Sequence, residues 1–215
     1  MVAPEDITRH HEWDGRDDDD IWVGGRPSPE PVVIAEYDAA WPESYELVAG
    51  RIRDALGTAV VALDHVGSTA VPGLAAKPVI DIDLTVADSA DEDSYVPALE
   101  AAGFRLTIRE RGWHEHRVLT LREPRVNLHV FSPDCPETIR HAMFRDWLRS
   151  NPDDAARYLD AKVAAAAETT AAGEVVMDYN QRKQEVIREI YARMFAAHGL
   201  LGTAGPDDGD LSSPP

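Results

Sequence analysis

Thiols are almost missing from this sequence: Cys135 is the single cysteine in 215 residues. No intrachain disulfide can form, and the lack of a thiol cluster argues against an all-cysteine zinc site, so a reducing compartment fits. Long apolar runs are missing too. No stretch approaches the roughly 20 residues of a membrane-spanning helix. The first residues, Met-Val-Ala-Pro-Glu-Asp, are acidic where a signal peptide carries positive charge and an apolar segment. A soluble cytoplasmic protein is expected. Positive charge is scarce: 21 Lys and Arg stand against 39 Asp and Glu, for a net charge of −18. Such a surface repels a polyanion at long range, which makes nucleic acid an unexpected partner. A free nucleotide is not excluded, because a few placed cations and a divalent metal neutralise a triphosphate locally.

What remains is ordinary for a globular protein, with 44% apolar and 28% charged residues. The polar stretch 1–31 holds the run Asp17–Asp20 and the proline-rich Arg26-Pro27-Ser28-Pro29-Glu30-Pro31. It is expected to be a mobile acidic arm and an extended linker, with a solvated aspartate run rather than a metal site. Residues 199–215 form a frayed tail, leaving one domain over 32–198. Within it, Val32-Val33-Ile34 suggests a short strand, and Trp41-Pro42 opens a helix that Gly57 stops. Strands are expected at 59–66, 79–86, 104–109, 117–122 and 126–131, with a helix at 91–102 between the second and third. After Pro133 the pattern turns helical, over 136–149, 153–170 and 178–197.

Residues 79–86 alternate strictly: Ile80, Ile82, Leu84 and Val86 line one face, and Asp81, Asp83 and Thr85 the other. Two residues apart on a strand, the aspartates have Cα atoms about 6 to 7 Å apart and carboxylates on the same side. That arrangement suits one or two magnesium ions, leaving positions open for phosphate oxygens and water. It equally fits a plain exposed sheet face. Just upstream, an apolar strand runs into His65-Val66-Gly67-Ser68-Thr69. The glycine permits close backbone approach, and Ser68 and Thr69 can cap a short helix whose free N–H groups hold a phosphate. A plain turn has the same composition.

The whole stretch from His65 to Val86, HVGSTAVPGLAAKPVIDIDLTV, resembles the signature of the GrpB family. The likeness extends to Tyr37-Asp38-x-x-Trp41-Pro42, Asn127-Leu128-His129-Val130, Phe144-Arg145-Asp146-Trp147-Leu148-Arg149 and two C-terminal Tyr/Lys helices, spanning about 32 to 195. The resemblance implies an α/β (α+β) fold, a nucleotidyltransferase-like mixed β-sheet flanked by helices with a helical C-terminal part. It implies that the Gly67–Ser68 turn contacts nucleotide phosphate and that Asp81 and Asp83 hold magnesium. One departure stands out. Nucleotidyltransferases commonly carry a third carboxylate on a later strand, where this chain has Asn127 and His129. His129 is a candidate metal ligand or base, or a polar residue lining the cleft. His114 and His116 alternate after Trp113 without a third ligand, which fits a loop or cleft feature better than a metal site.

Lysine is rare, and its three occurrences, Lys77, Lys162 and Lys183, all fall in stretches that resemble the family. Tyr158 and Lys162, and again Tyr179 and Lys183, are four apart, which puts each pair on one helical face. Lys77, Lys162, Lys183 and Arg182 are therefore the expected cations around a triphosphate, against the plainer reading of surface charge. Magnesium-dependent transfer of a nucleoside monophosphate from a triphosphate to a small acceptor is the expected reaction. The alternatives are a nucleotide- or metabolite-binding module without turnover, linked to coenzyme A through the family's fusions to dephospho-CoA kinase, and a metal-dependent phosphate-ester hydrolase. No Walker-type Gly-x-x-x-x-Gly-Lys-Ser/Thr loop is present, so the chain is not itself that kinase.

Overall fold

In the computed structural model, residues 1–10 and 21–201 are described, and the Asp17–Asp20 run lies outside them. A five-stranded mixed sheet organises the molecule. Its strands are β1 (Ala62–Val66), β2 (Ile80–Thr85), β3 (Arg105–Glu110), β4 (His116–Leu121) and β5 (Val126–Phe131), in the order β1-β2-β5-β4-β3. β2 and β5 run parallel at the centre, with Asp81 opposite Asn127 and Asp83 opposite His129. The other neighbours are antiparallel.

The alternation along β2 divides the sheet. Ile80, Ile82 and Leu84 join Leu119, Leu128 and Val130 in the main core, against Trp41, Val48 and Ile52 of helix α2 (Trp41–Leu56) and Leu99 of α3 (Val96–Ala101). The opposite face, bearing both aspartates, is met by α4 (Pro136–Ser150), whose His141 reaches Asp83, and α5 (Pro152–Ala172), α6 (Val176–Arg182) and α7 (Gln184–Ala197) pack with it as a C-terminal helical layer. There a second cluster joins Val71 and Leu74, which follow the Gly67–Ser68 turn, to Leu148, Tyr158 and Ile190. The expected fold class, a mixed sheet flanked by helices with a helical C-terminal part, is the one observed.

Several boundaries differ from the expected ones. Val32-Val33-Ile34 lies in no strand: the Val32 N–H bonds to Thr170 Oγ1 at 3.1 Å, its side chain packs on Ala165, Ala166 and Tyr179, and sheet-like pairing is confined to Ala35 with Ala76. The strand expected from 59 begins at Ala62, because Gly57–Ala59 close a 3-10 turn after α2. The 91–102 helix starts as a 3-10 turn, and α3 proper begins only at Val96, beside Pro97, which has no N–H to continue an earlier turn. The 178–197 helix breaks at Lys183 into α6 and α7. The described parts of the expected arm are docked. A short helix α1 (Pro4–Thr8) buries Ile7 against Met194 and Phe195, and Trp22 bridges to Ile108 beside β3.

Candidate functional site

The turn after β1 is held from α4. Arg145 donates to the His65 carbonyl at 3.0 Å, and Arg149 donates twice to the Ala70 carbonyl at 3.1 and 2.8 Å. Gly67 sits at φ +68°, and a Cβ there would lie 2.5 Å from Asp81 Oδ2. Backbone conformation and contact both demand glycine, which brings the turn directly against the first aspartate. Ser68 Oγ donates to the Tyr158 hydroxyl at 3.3 Å. Thr69, expected to help grip phosphate, is turned inward: it is 1% exposed, and its hydroxyl donates to the Val79 carbonyl and accepts from His65 Nε2. His65 itself stacks on Tyr45 of α2, and burial pushes its imidazole down to about 4, so the ring is neutral.

The two aspartates keep different company. Asp81 Oδ1 accepts from Asn127 Nδ2 at 2.8 Å and lies 3.9 Å from His129 Nε2. Burial works against its charge, but His129, Lys77 and Asn127 outweigh it and hold the carboxyl below its usual range. Asp83 is 3% exposed and paired with His141 of α4, whose Nδ1 lies 2.9 and 3.2 Å from the two carboxylate oxygens. Burial lowers the His141 pKa, yet Asp83 more than reverses this and carries it up to about 9. His141 is therefore an imidazolium at neutral pH, half-buried over a buried carboxylate.

The lysines divide. Burial lowers both Lys77 and Lys183, the latter to about 8, while the Asp81 charge acts on each in the opposite direction. Lys183 Nζ lies 4.3 Å from the centre of the Tyr179 ring, the i,i+4 partner expected from spacing. Lys162 is 1% exposed, donates to the Ala75 carbonyl and lies over Tyr158; burial, then Lys183, push it to about 7. It supports the segment leading to Lys77 from beneath. Arg182 turns away to Glu168 and Glu174 and does not join the group around Asp81.

Asp81, Asp83, Asn127 and His129 are thus neighbours across two parallel strands, with Gly67 against Asp81 at one end and Lys77 and Lys183 within the electrostatic reach of Asp81. His129 is backed by His116, whose Nε2 lies 3.0 Å from His129 Nδ1. His114, by contrast, adopts a positive φ in the turn before β4. Spacing along one strand revealed Asp81 and Asp83. His141 was missed because its role depends on where α4 lands. Its position, three residues before Phe144 and seven before Leu148, does place it on that helix's inward stripe.

Magnesium takes six oxygen ligands in a near-octahedral array. Asp81 and Asp83 offer the right donor chemistry from a rigid strand. Among the described residues, however, no three His, Cys, Asp or Glu side chains form a group that could hold a metal ion, and Asp83 is already matched by a cation. These residues fit magnesium carried with a polyphosphate, which brings its own oxygens, better than magnesium alone.

Known proteins resemble this chain over most of its length. A family model described as GrpB protein matches residues 31–193. A UPF0157 protein of Halalkalibacterium halodurans is 44% identical over 168 residues, covering 78% of this chain and 85% of its own. Another, from Streptomyces coelicolor, is 40% identical over 177 residues, covering 82% and 91%. A dephospho-CoA kinase of Mycolicibacterium paratuberculosis is 32% identical over 190 residues, which take in 76% of this chain and 46% of the kinase. The crystal structure of the conserved protein GrpB from Enterococcus faecalis superposes with a TM-score of 0.66 at 28% identity, over 77% of this chain and 99% of that one.

Proposed function

This chain belongs to the GrpB family, and on that premise we propose that the cleft over β2 and β5 is a nucleotidyltransferase site, moving a nucleoside monophosphate from a triphosphate to a small acceptor with magnesium. The observation that carries the proposal is the close approach of Gly67 to Asp81, where a Cβ would overlap the carboxylate, with Lys77 and Lys183 in the electrostatic field of that carboxylate. A phosphate-approach turn thus meets a carboxylate strand within electrostatic reach of two cations. Asp81 and Asp83 would hold the magnesium, which supplies charge neutralisation on the donor phosphates. Ser68 and the backbone around it grip a phosphate, Lys77 and Lys183 offset the remaining charge, and His129 faces the acceptor.

A second reading, binding without turnover, draws on two specific features: the later strand offers Asn127 and His129 where a third carboxylate would stand, and Asp83 is tied to a protonated His141. In that case the cleft senses a nucleotide or a related phosphate-bearing metabolite. Such a metabolite could be linked to coenzyme A, since the chain also resembles part of dephospho-CoA kinases. A pyrophosphate-release screen separates the two readings. Protein, magnesium and each nucleoside triphosphate are incubated with pooled small metabolites, with Asp81→Asn/Asp83→Asn as the control. Release by the parent and silence in the variant support transfer. Binding of the nucleotide with no release in any pool supports the sensor.

A further inference from the structure

Behind His129 stand two side chains, His116 and Glu110, that the proposed transfer does not use. At the β3–β4 end, Glu110 pairs with His116, and their side chains meet: His116 Nδ1 lies 2.6 Å from Glu110 Oε2. The other nitrogen, His116 Nε2, lies 3.0 Å from His129 Nδ1, and the two ring planes are within 10° of parallel. His116 is 4% exposed, with Phe131 stacked on it at 4.6 Å and the Trp113 edge at 5.0 Å. The chain ends at His129 Nε2, 3.9 Å from Asp81 Oδ1.

Hydrogen-bond direction follows from the ends. A carboxylate can only accept, so the His116 Nδ1 carries a proton. Burial, then the neighbouring His129 and His141, hold the His116 pKa well below its ordinary value, so its Nε2 is bare and must accept. The donor on the far side of the 3.0 Å contact is then His129 Nδ1–H. In a neutral ring that leaves His129 Nε2 with its lone pair open, and 3.9 Å to Asp81 is beyond hydrogen-bond range.

We propose that Glu110 and His116 are positioning residues that fix His129 as its Nδ1–H tautomer, so that the bare Nε2 accepts the hydroxyl proton of an alcohol acceptor beside Asp81. The tautomer stands on the Glu110–His116–His129 hydrogen bonds and on a His116 that burial keeps neutral, whereas the acceptor's role rests on the transferase reading. A hydroxyl oxygen about 2.8 Å from Nε2 donates its one proton there. As that oxygen bonds to the α-phosphorus, the bond from α-phosphorus to the pyrophosphate oxygen breaks and its electron pair leaves with pyrophosphate. The hydroxyl proton passes to His129 Nε2. The imidazolium so formed keeps its Nδ1–H bond to His116 and gains Asp81 as counter-charge.

The test is 15N spectroscopy of histidine-labelled full-length protein at mildly alkaline pH, in the parent, His116→Leu, His116→Gln and Glu110→Ala, with His129→Gln to assign the His129 signals. The parent is expected to show His129 protonated on Nδ1 and bare on Nε2. His116→Leu and Glu110→Ala should move it toward the Nε2–H form, and His116→Gln, whose amide oxygen still accepts, should restore it. In the pyrophosphate assay His116→Leu should lower kcat about tenfold or more with the donor KM unchanged. An Nε2–H tautomer in the parent, or a tautomer that His116→Leu leaves in place, overturns the relay. Should His116→Leu lose its native amide spectrum, the parent and His116→Gln spectra decide. The predicted tautomer without pyrophosphate release sinks the transferase reading and keeps the relay; release with the wrong tautomer does the reverse.

Discussion

Two carboxylates on one face of one strand turn out to be chemically unequal. Asp81 is shared among Asn127, His129 and the lysines, whereas Asp83 is the counter-ion of His141. The His141 pKa is raised from 6.5 to about 9 in the folded protein. The pair's contribution to stability is therefore complete below about pH 6.5 and is lost as pH rises through about 9. Lys162 and Lys183, held low by burial, titrate in the same range with the opposite sign, so the test is the difference in urea-unfolding free energy between the parent and His141→Gln, which should shrink as pH rises through about 9. Gly67 is the second residue-scale test. Alanine there must adopt φ +68° and meet Asp81 Oδ2 at 2.5 Å, which should cost about 1 to 3 kcal/mol in chemical denaturation and weaken magnesium-nucleotide binding at the same time. The Asp81/Asp83 alternation and the Gly-Ser turn were legible in the sequence because both are local patterns. The His141 and Glu110–His116 partners were not, since they arise only when α4 and the β3–β4 hairpin reach the same face from distant parts of the chain.

At the level of elements, the sheet and the C-terminal helices followed from periodicity, with β5 matching its expected bounds and β2 shifted by one residue at each end. Breaks were harder to see. Nothing in the 178–197 pattern marks Lys183 as the junction of α6 and α7, yet that junction faces its ammonium toward Asp81's field. Because burial holds Lys183 near 8, a bound triphosphate should draw a proton onto it when binding occurs at about pH 8 to 9. Calorimetry in buffers of different ionisation enthalpy should register net proton uptake, and Lys183→Ala should lose that uptake along with about tenfold in affinity. The N-terminal segment looked like a polar arm because five helical residues give too short a pattern to read. Its Ile7 is nonetheless a packing residue for α7. Ile7→Ala should lower unfolding free energy by about 2 kcal/mol, and an unchanged denaturation midpoint would refute the docked position.

As a whole, the proposed site would take a polyanion inside a chain of net charge −18. Placement would reconcile the two: of 21 basic residues only three are lysines, two of them in the electrostatic field of Asp81 and the third bonded to the Ala75 carbonyl. No helix among the described residues is long and apolar enough to cross a membrane. Family and architecture could be inferred from the sequence because a long ungapped stretch carries turn, strand and helix signals together. Turnover could not, because it depends on whether Asp83 exchanges its imidazolium partner for a metal. The most direct measurement is calorimetric titration of each nucleoside triphosphate into the parent and into Asp81→Asn/Asp83→Asn, with and without magnesium. The parent should bind at least one nucleotide about tenfold or more tightly with magnesium than without, a gain of about 1.4 kcal/mol or more, and the double variant should lose that gain. Equal magnesium-nucleotide binding by the two chains would contradict the site.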